Sequence, residues 1–467
     1  MLRGYAISER LRERKAASRK CVGIGSSHDA RRSHSFKHAL AAGLLLFIML
    51  PLVKVACGQE RELSAVPATA AQRKTETRAL WVVRTTLVSP EKIRAMINRA
   101  AANNFNTIIV QVRGRGDAYY GSRWEPRAGG LKNQSADFDP LAYTLAEAKR
   151  ANLRVHAWIN TNLLANLDDL PTEAQHVYNA HPDWLAVPRP VAAELYSMSP
   201  ADPHYRAAIV EWSKANRAEI EGVYTAPANP AVREHVYSIW IDLLERYPQL
   251  DGLHFDYVRF ASPDFDYSRT SLERFRHWLE PSLSPAERRL LAVALKSDPL
   301  AAADSYQEQF ADFQREQVTA LVERIYHGVK KRKPDAIVSA AVFASEENAR
   351  TRRFQDWRRW LALGILDVVC PMAYSADTAV FQKQIEAAAV AAHAAGRQVW
   401  AGIGAYRVPA ESTVEKINAA RALQAEGIIL FSYDFTIVPH RTLNPAGDYL
   451  ERVRRAAFDA PVARPTP

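Results

Sequence analysis

Eight short runs of β-branched and apolar residues, each leading into an amphipathic helical stretch, constrain this chain more than any other feature. The runs are 79–87, 106–113, 153–160, 252–258, 336–343, 366–374, 398–406 and 427–434. Helical spacing of apolar residues fills 90–103, 140–152, 230–247, 306–331, 380–395 and 412–426, several opened by Ser, Asp-Pro or Asn-Pro. Eight strand-then-helix steps over roughly 375 residues is the count of an α/β (β/α)8 barrel of the TIM type. An open doubly wound sheet is the competing arrangement, and the lack of a Gly-rich fingerprint after the first strand weighs against it. Long insertions follow the third and fourth strands, at 161–229 and 261–305. On a barrel both lie over the C-terminal face, where clefts are built. HPDWLAV (181–187), Tyr196 and Tyr224 could line such a cleft, with packing inside the insertion as the alternative.

The fourth run, DGLHFDYVRF (251–260), carries the clearest chemistry. Period-two alternation puts Leu253 and Phe255 on one face and His254 and Asp256 on the other, which in a closed barrel is the interior. The bland alternative is a buried Asp satisfied by Arg259 or a backbone amide. The other strands end similarly, in Arg113 with Asp117 and Tyr119, in His156, Trp158 and Asn160, and in Tyr374, Tyr406, Tyr433 and Asp434. Aromatic and polar groups gathered at one end suit a sugar: rings stack on pyranose CH surfaces while Asp, Asn and Arg bond hydroxyls. Candidate binding residues are therefore Arg113, Asp117, Tyr119, His156, Trp158, Asn160, His254, Tyr257, Arg259, Tyr374, Tyr406, Tyr433 and Asp434. Asp434 has a second reading, as an ion-pair partner of Arg84 or Arg407.

Glycoside cleavage needs a proton donor and a second carboxylate, about 5–5.5 Å apart for retention and about 6.5–9.5 Å for inversion. Asp256 is the expected nucleophile or base, kept ionised by Arg259. An enclosed carboxyl is wanted for the acid, and Glu346 after the fifth strand is the choice over Asp117, Asp434 and Asp377. No His-x-His pair stands on an early strand, no phosphate loop is present, and no cofactor or metal is expected.

The net charge of +10 does not imply an anionic partner. Residues 1–58 hold eleven Lys/Arg against three Asp/Glu, leaving fifty against forty-eight in the remainder, so no nucleic-acid partner is expected. A basic region, the fifteen-residue apolar run Ala39–Val53 and Ala56-Cys57-Gly58 have the order of an export leader. The run is short of the ~20 residues that span a bilayer. Cys57 after Val55-Ala56 leaves lipid anchoring open, although Lys54 stands where an acylation site has an aliphatic residue, and Arg31-Arg32 is read as part of the basic region. The expected organisation is a leader over 1–58, a linker over 59–76, a barrel over 77–458 and a disordered tail over 459–467, in an exported monomer of the periplasm or envelope. Cys370, in DVVCPMAY, is expected as a lone buried thiol.

QVRGRGDAYYGS (111–122), FDPLAYTLAEAKRANLRVHAWIN (138–160), HPDWL (181–185), NPAVREH (229–235) and GLHFDYVRF (252–260) resemble the bacterial glycosyl hydrolase-like 10 family. The resemblance covers most of 76–400. It implies a TIM-barrel glycosidase of the bacterial envelope, a family associated with cleaving peptidoglycan strands stripped of their peptides, and it places Asp256 and Asp117 at motif positions. Two departures concern the substrate subsite: Asn160-Thr161-Asn162 stands where the family has Asn-Pro-Tyr, and Ala261 replaces a proline. No motif carries Glu346. A non-catalytic glycan-binding barrel and a metal-dependent amidohydrolase or deacetylase are the competing functions.

Overall fold

The computed structural model describes residues 75–462. The leader with Cys57, most of the linker and residues 463–467 lie outside them. All eight expected strands form: β1 (Thr77–Val82), β2 (Thr107–Arg113), β3 (Arg154–Asn160), β6 (Gly252–Asp256), β7 (Ile337–Phe343), β8 (Val368–Met372), β9 (Gln398–Gly404) and β10 (Gly427–Phe431). They close into one parallel barrel in the order β1-β10-β9-β8-β7-β6-β3-β2. The helices between them start where the sequence places a cap and a proline. Ser89, Asp139 and Asn229 accept backbone N–H groups ahead of Pro90, Pro140 and Pro230, whose missing N–H costs nothing in the first turn.

Alternation divides each strand between two cores. Leu253 and Phe255 face outward onto the helices, with the Trp240 ring 4.0 Å from Phe255. The interior is filled by Ala79, Trp81, Ile109, Trp158, Ala341, Val368, Cys370, Trp400 and Ile429. Cys370 is the free, fully buried thiol of that layer, and burial pushes its pKa well up. Beyond Phe458, the Ala460 carbonyl accepts a hydrogen bond from Arg78 at 2.7 Å.

The two insertions are one structure. The first holds the antiparallel pair β4 (Leu163–Ala165) and β5 (Val223–Tyr224) and the helix Pro203–Ala215, and the second holds the helices Arg269–Leu279 and Pro285–Ala294. Leu164, Leu185, Tyr205 and Ile209 from the first bury against Phe275, Leu279, Phe310 and Phe313 from the second and the long helix after it. Phe275 lies 4.9 Å from the Phe310 ring and 5.6 Å from Phe313. Because neither segment can bury its apolar face alone, Phe275→Ala is expected to cost about 3–5 kcal/mol, read as a lowered midpoint in urea unfolding.

Candidate active site

Asp256 is the last residue of β6 and stands level with Asn160 of β3 across the parallel ladder. The next residue, Tyr257, has φ of +50°, a left-handed conformation rare for a bulky side chain. That turn aims the Tyr257 N–H at Asp256 Oδ1, 2.7 Å away. Burial raises the Asp256 pKa to about 7 and outweighs the Tyr257 amide, the Arg259 charge and the Trp158 indole, which all pull it down. Asp256 is therefore not held firmly ionised at neutral pH, contrary to the role given to Arg259 in the sequence.

Arg259 is fully buried beneath the mouth. Its guanidinium meets Glu221 at 3.0 Å and lies 4.5 Å from the Tyr257 ring centroid and 5.7 Å from that of Tyr224. Glu221, just before β5, also accepts from the Tyr224 hydroxyl at 2.7 Å. Burial would raise its carboxyl, but the charges of Arg259 and Arg353 and the Tyr224 hydroxyl hold it below the usual range, and its charge in turn raises Asp256. The sequence reading missed Glu221 because it sits in an insertion with no periodic or motif signal.

Aromatic rings gather at the mouth. Tyr374 stacks on Phe431 with centroids 5.5 Å apart, and Tyr406 meets both edge-on at 5.9 Å. Trp158 lies 6.4 Å from Phe431 and donates from Nε1 to Asn160 Oδ1 at 2.8 Å. Phe431 ends β10, and nothing in the sequence of that strand sets it apart from its apolar neighbours. Asp117 is half-buried in the loop after β2, its Oδ1 accepting the Arg115 N–H at 2.8 Å, and Tyr119 is buried against Arg84.

Several candidates have other work. His254 accepts the Trp81 indole N–H at Nε2, 3.0 Å, which leaves its proton on Nδ1 to donate to Ser339 Oγ at 2.8 Å. It is a core residue one layer below Asp256, and burial lowers its pKa to about 3. His156 lies lower still, opposite Gly252, where a Cβ would come within 2.8 Å of its ring. Arg113 is not a surface for sugar: it is buried in a bidentate pair with Glu125 at 2.7 and 2.8 Å and donates to the Asn160 and Thr161 carbonyls. Tyr433 is buried in the outer core, and Asp434 accepts the Val83 N–H at 2.7 Å and the Thr86 hydroxyl at 2.6 Å, capping the turn after β1. Glu346 lacks the enclosure sought for an acid, since it is only half-buried and both its oxygens are held by Arg358 at 2.6 and 2.7 Å. No cluster of His, Cys, Asp and Glu suited to a metal occurs among the described residues, and no helix among them is long and apolar enough to cross a membrane.

The glycosyl hydrolase-like 10 family matches residues 76–419. The chain belongs to that family. It is 22% identical over 357 residues to glycosyl hydrolase DigH of Escherichia coli strain K12, covering 67% of this chain and 68% of the relative. A shorter match, 35% over 86 residues and 17% of each chain, is to glycosyl hydrolase YngK of Bacillus subtilis strain 168. Among solved structures, the catalytic domain of β-amylase from Paenibacillus polymyxa superposes with a TM-score of 0.56 at 11% identity, over 83% of this chain and 98% of that one. A β-galactosidase from Bacillus circulans sp. alkalophilus gives 0.55 at 12%, over 83% and 56%. At such identity these two likenesses establish the fold, a TIM barrel shared with glycosidases.

The Arg113–Glu125 pair anchors the loop that begins the mouth. Arg113, with His235, lowers the Glu125 pKa to about 2 against the effect of burial. A depressed carboxyl stabilises the fold above its unfolded pKa and loses that contribution as pH falls toward 2. Glu125→Gln is expected to destabilise by about 3–5 kcal/mol at pH 7, with the gap to wild type narrowing in urea titrations between pH 4.5 and 2.

Proposed function

We propose that this chain is an exported glycoside hydrolase that cleaves glycosidic bonds of a bacterial envelope polysaccharide, with peptide-free peptidoglycan strands as its substrate. The observation that carries this reading is Asp256, a carboxyl at the barrel mouth with a pKa of about 7, flanked by aromatic rings and coupled to the ionised Glu221. A carboxyl poised at neutral pH is suited to give a proton to the leaving glycosidic oxygen and to recover it from water. Glu221, held charged by Arg259 and Tyr224, fills the ionised half of the two-carboxylate scheme. The roles thus exchange relative to the sequence expectation: Asp256 becomes the acid. Membership of the glycosyl hydrolase-like 10 family supports the reaction class. The leader order in residues 1–58 supports export, with Cys57 as the residue that would carry a lipid.

The competing reading is a glycan-binding barrel without turnover. Asp256→Asn separates the two: turnover of peptide-free strands, followed as new reducing ends by mass analysis, is expected to fall by at least ~100-fold while binding persists. Hydrolysis at the wild-type rate in that variant would remove the proposal. Because the protonated form acts, wild-type kcat is expected to decline as pH rises through about 7. Glu221→Gln should lower kcat similarly, whereas Glu346→Gln should leave it within about twofold, as befits an exposed ion pair.

Asp256→Asn also has a thermal signature. The raised carboxyl favours the fold most below its unfolded pKa, and that advantage is lost as pH rises through about 7. The Tm gain of the variant over wild type is therefore expected to be larger at pH 8.5 than at pH 5.

A further inference from the structure

The pair in Arg113–Glu125 accounts for only the first arginine of Arg113-Gly114-Arg115-Gly116. Arg115 is half-buried, and among the described residues its guanidinium makes no hydrogen bond or ion pair. Its backbone is pinned on both sides. The N–H donates to Asp117 Oδ1 at 2.8 Å, and the carbonyl lies 2.8 Å from His176 Nε2. Since His176 Nδ1 accepts the Tyr178 N–H at 3.1 Å, the Nε2 proton is the one that reaches Arg115.

Arg84, just past β1, lies alongside. Its chain crosses Gly114 so closely that a Cβ there would stand 2.5 Å from Arg84 Cδ, which is why that position carries no side chain. Its Nη1 donates to Gln111 Oε1 at 2.9 Å, and Gln111 Nε2 donates to Asn160 Oδ1 at 3.3 Å, level with Asp256. Two guanidinium groups are thus fixed within electrostatic reach of each other, and both burial and Arg84 disfavour the charge on Arg115. Asp117 offsets one of the two charges without pairing with Arg115, and Asp169 is solvent-exposed and screened. Among the charged groups that act on Arg115, two guanidinium charges thus face one nearby carboxylate, Asp117.

We propose that Arg84 and Arg115 form a carboxylate subsite beside Asp256, which takes a glycan ring bearing a free carboxylate. Planar guanidinium forks match a carboxylate, and a monoanion balances the surplus charge, whereas a dianion would also meet Asp117. This rests on the glycoside hydrolase reading and deepens it. In a peptide-free strand the lactyl carboxyl of each muramic unit is a free carboxylate, but in a strand that keeps its peptides it is a neutral amide. The subsite selects the former.

The test uses full-length Asp256→Asn protein and calorimetric binding to three ligands: peptide-free strands, the same strands with carboxyls amidated, and an oligoglucuronate. Amidation is expected to weaken binding at least tenfold. The added substitution Arg115→Gln should abolish that ratio, and Arg115→Lys should retain part of it. Equal affinity for native and amidated strands, or an Arg115→Gln protein that keeps the tenfold preference, overturns the subsite. Binding of oligoglucuronate alone keeps the carboxylate subsite and reassigns its source to a uronic acid. Wild-type turnover of native strands is scored separately: none, alongside a retained carboxylate preference, sinks the hydrolase reading and leaves the subsite standing.

Discussion

The pleat of a β-strand sends alternate side chains to opposite faces, closure of the sheet turns one face into an interior, and the rest of this structure depends on that constraint. Each strand can give only alternate residues to the interior, stacked in layers from bottom to mouth. On β6 this makes Gly252, His254 and Asp256 successive interior layers. The lowest has no room for a side chain because His156 fills it. The middle one is dry and closed by Trp81 and Ser339. The top one is the first position from which a side chain can meet a ligand. Two polar residues on one face therefore become a core residue and a site residue, separated only by height.

Height also sets the electrostatics. Asp256 is near a buried cation, and proximity alone suggests an ionised carboxylate. The larger effect is the removal of water, which disfavours the charged form more than Arg259 favours it. Arg259 is itself committed to Glu221, so its charge is shared. Glu221 shows the opposite balance, with two arginines and a tyrosine hydroxyl overcoming the same burial. Two carboxyls pushed apart in this way are what the proposed acid and base roles rest on.

The mouth is assembled from distant parts of the chain. Tyr374 and Tyr406 follow the ends of β8 and β9 and Phe431 ends β10, while Trp158 of β3 and Tyr257 just after β6 come from the opposite wall. The two insertions add a shared apolar core over the β3 and β6 side and deliver Glu221 through the β4–β5 pair. Arg113 binds this side together, since one guanidinium joins Glu125 to the main-chain carbonyls at the end of β3. The barrel is thus the frame, and its loops supply most of what touches a substrate.

Much of the fold was legible because strand and helix periods are local. All eight strands and the six main helices follow from apolar spacing and from capping residues such as Ser89, Asp139 and Asn229. The family resemblance, carried by stretches such as GLHFDYVRF, was legible for the same reason. Reading strand ends as sites worked less evenly. Asp434 and Arg113 find partners more than ten residues away in sequence, at Val83, Thr86 and Glu125, and such contacts leave no local signal. Glu346 stands after a barrel strand as expected, yet Arg358 takes both its oxygens. By itself the sequence determined the barrel, its two insertions and the position of Asp256 at a strand end, since those depend on alternation and capping. Only the tertiary structure decided which carboxyl is desolvated and which is held charged, because a proton's affinity depends on every group that surrounds it in space.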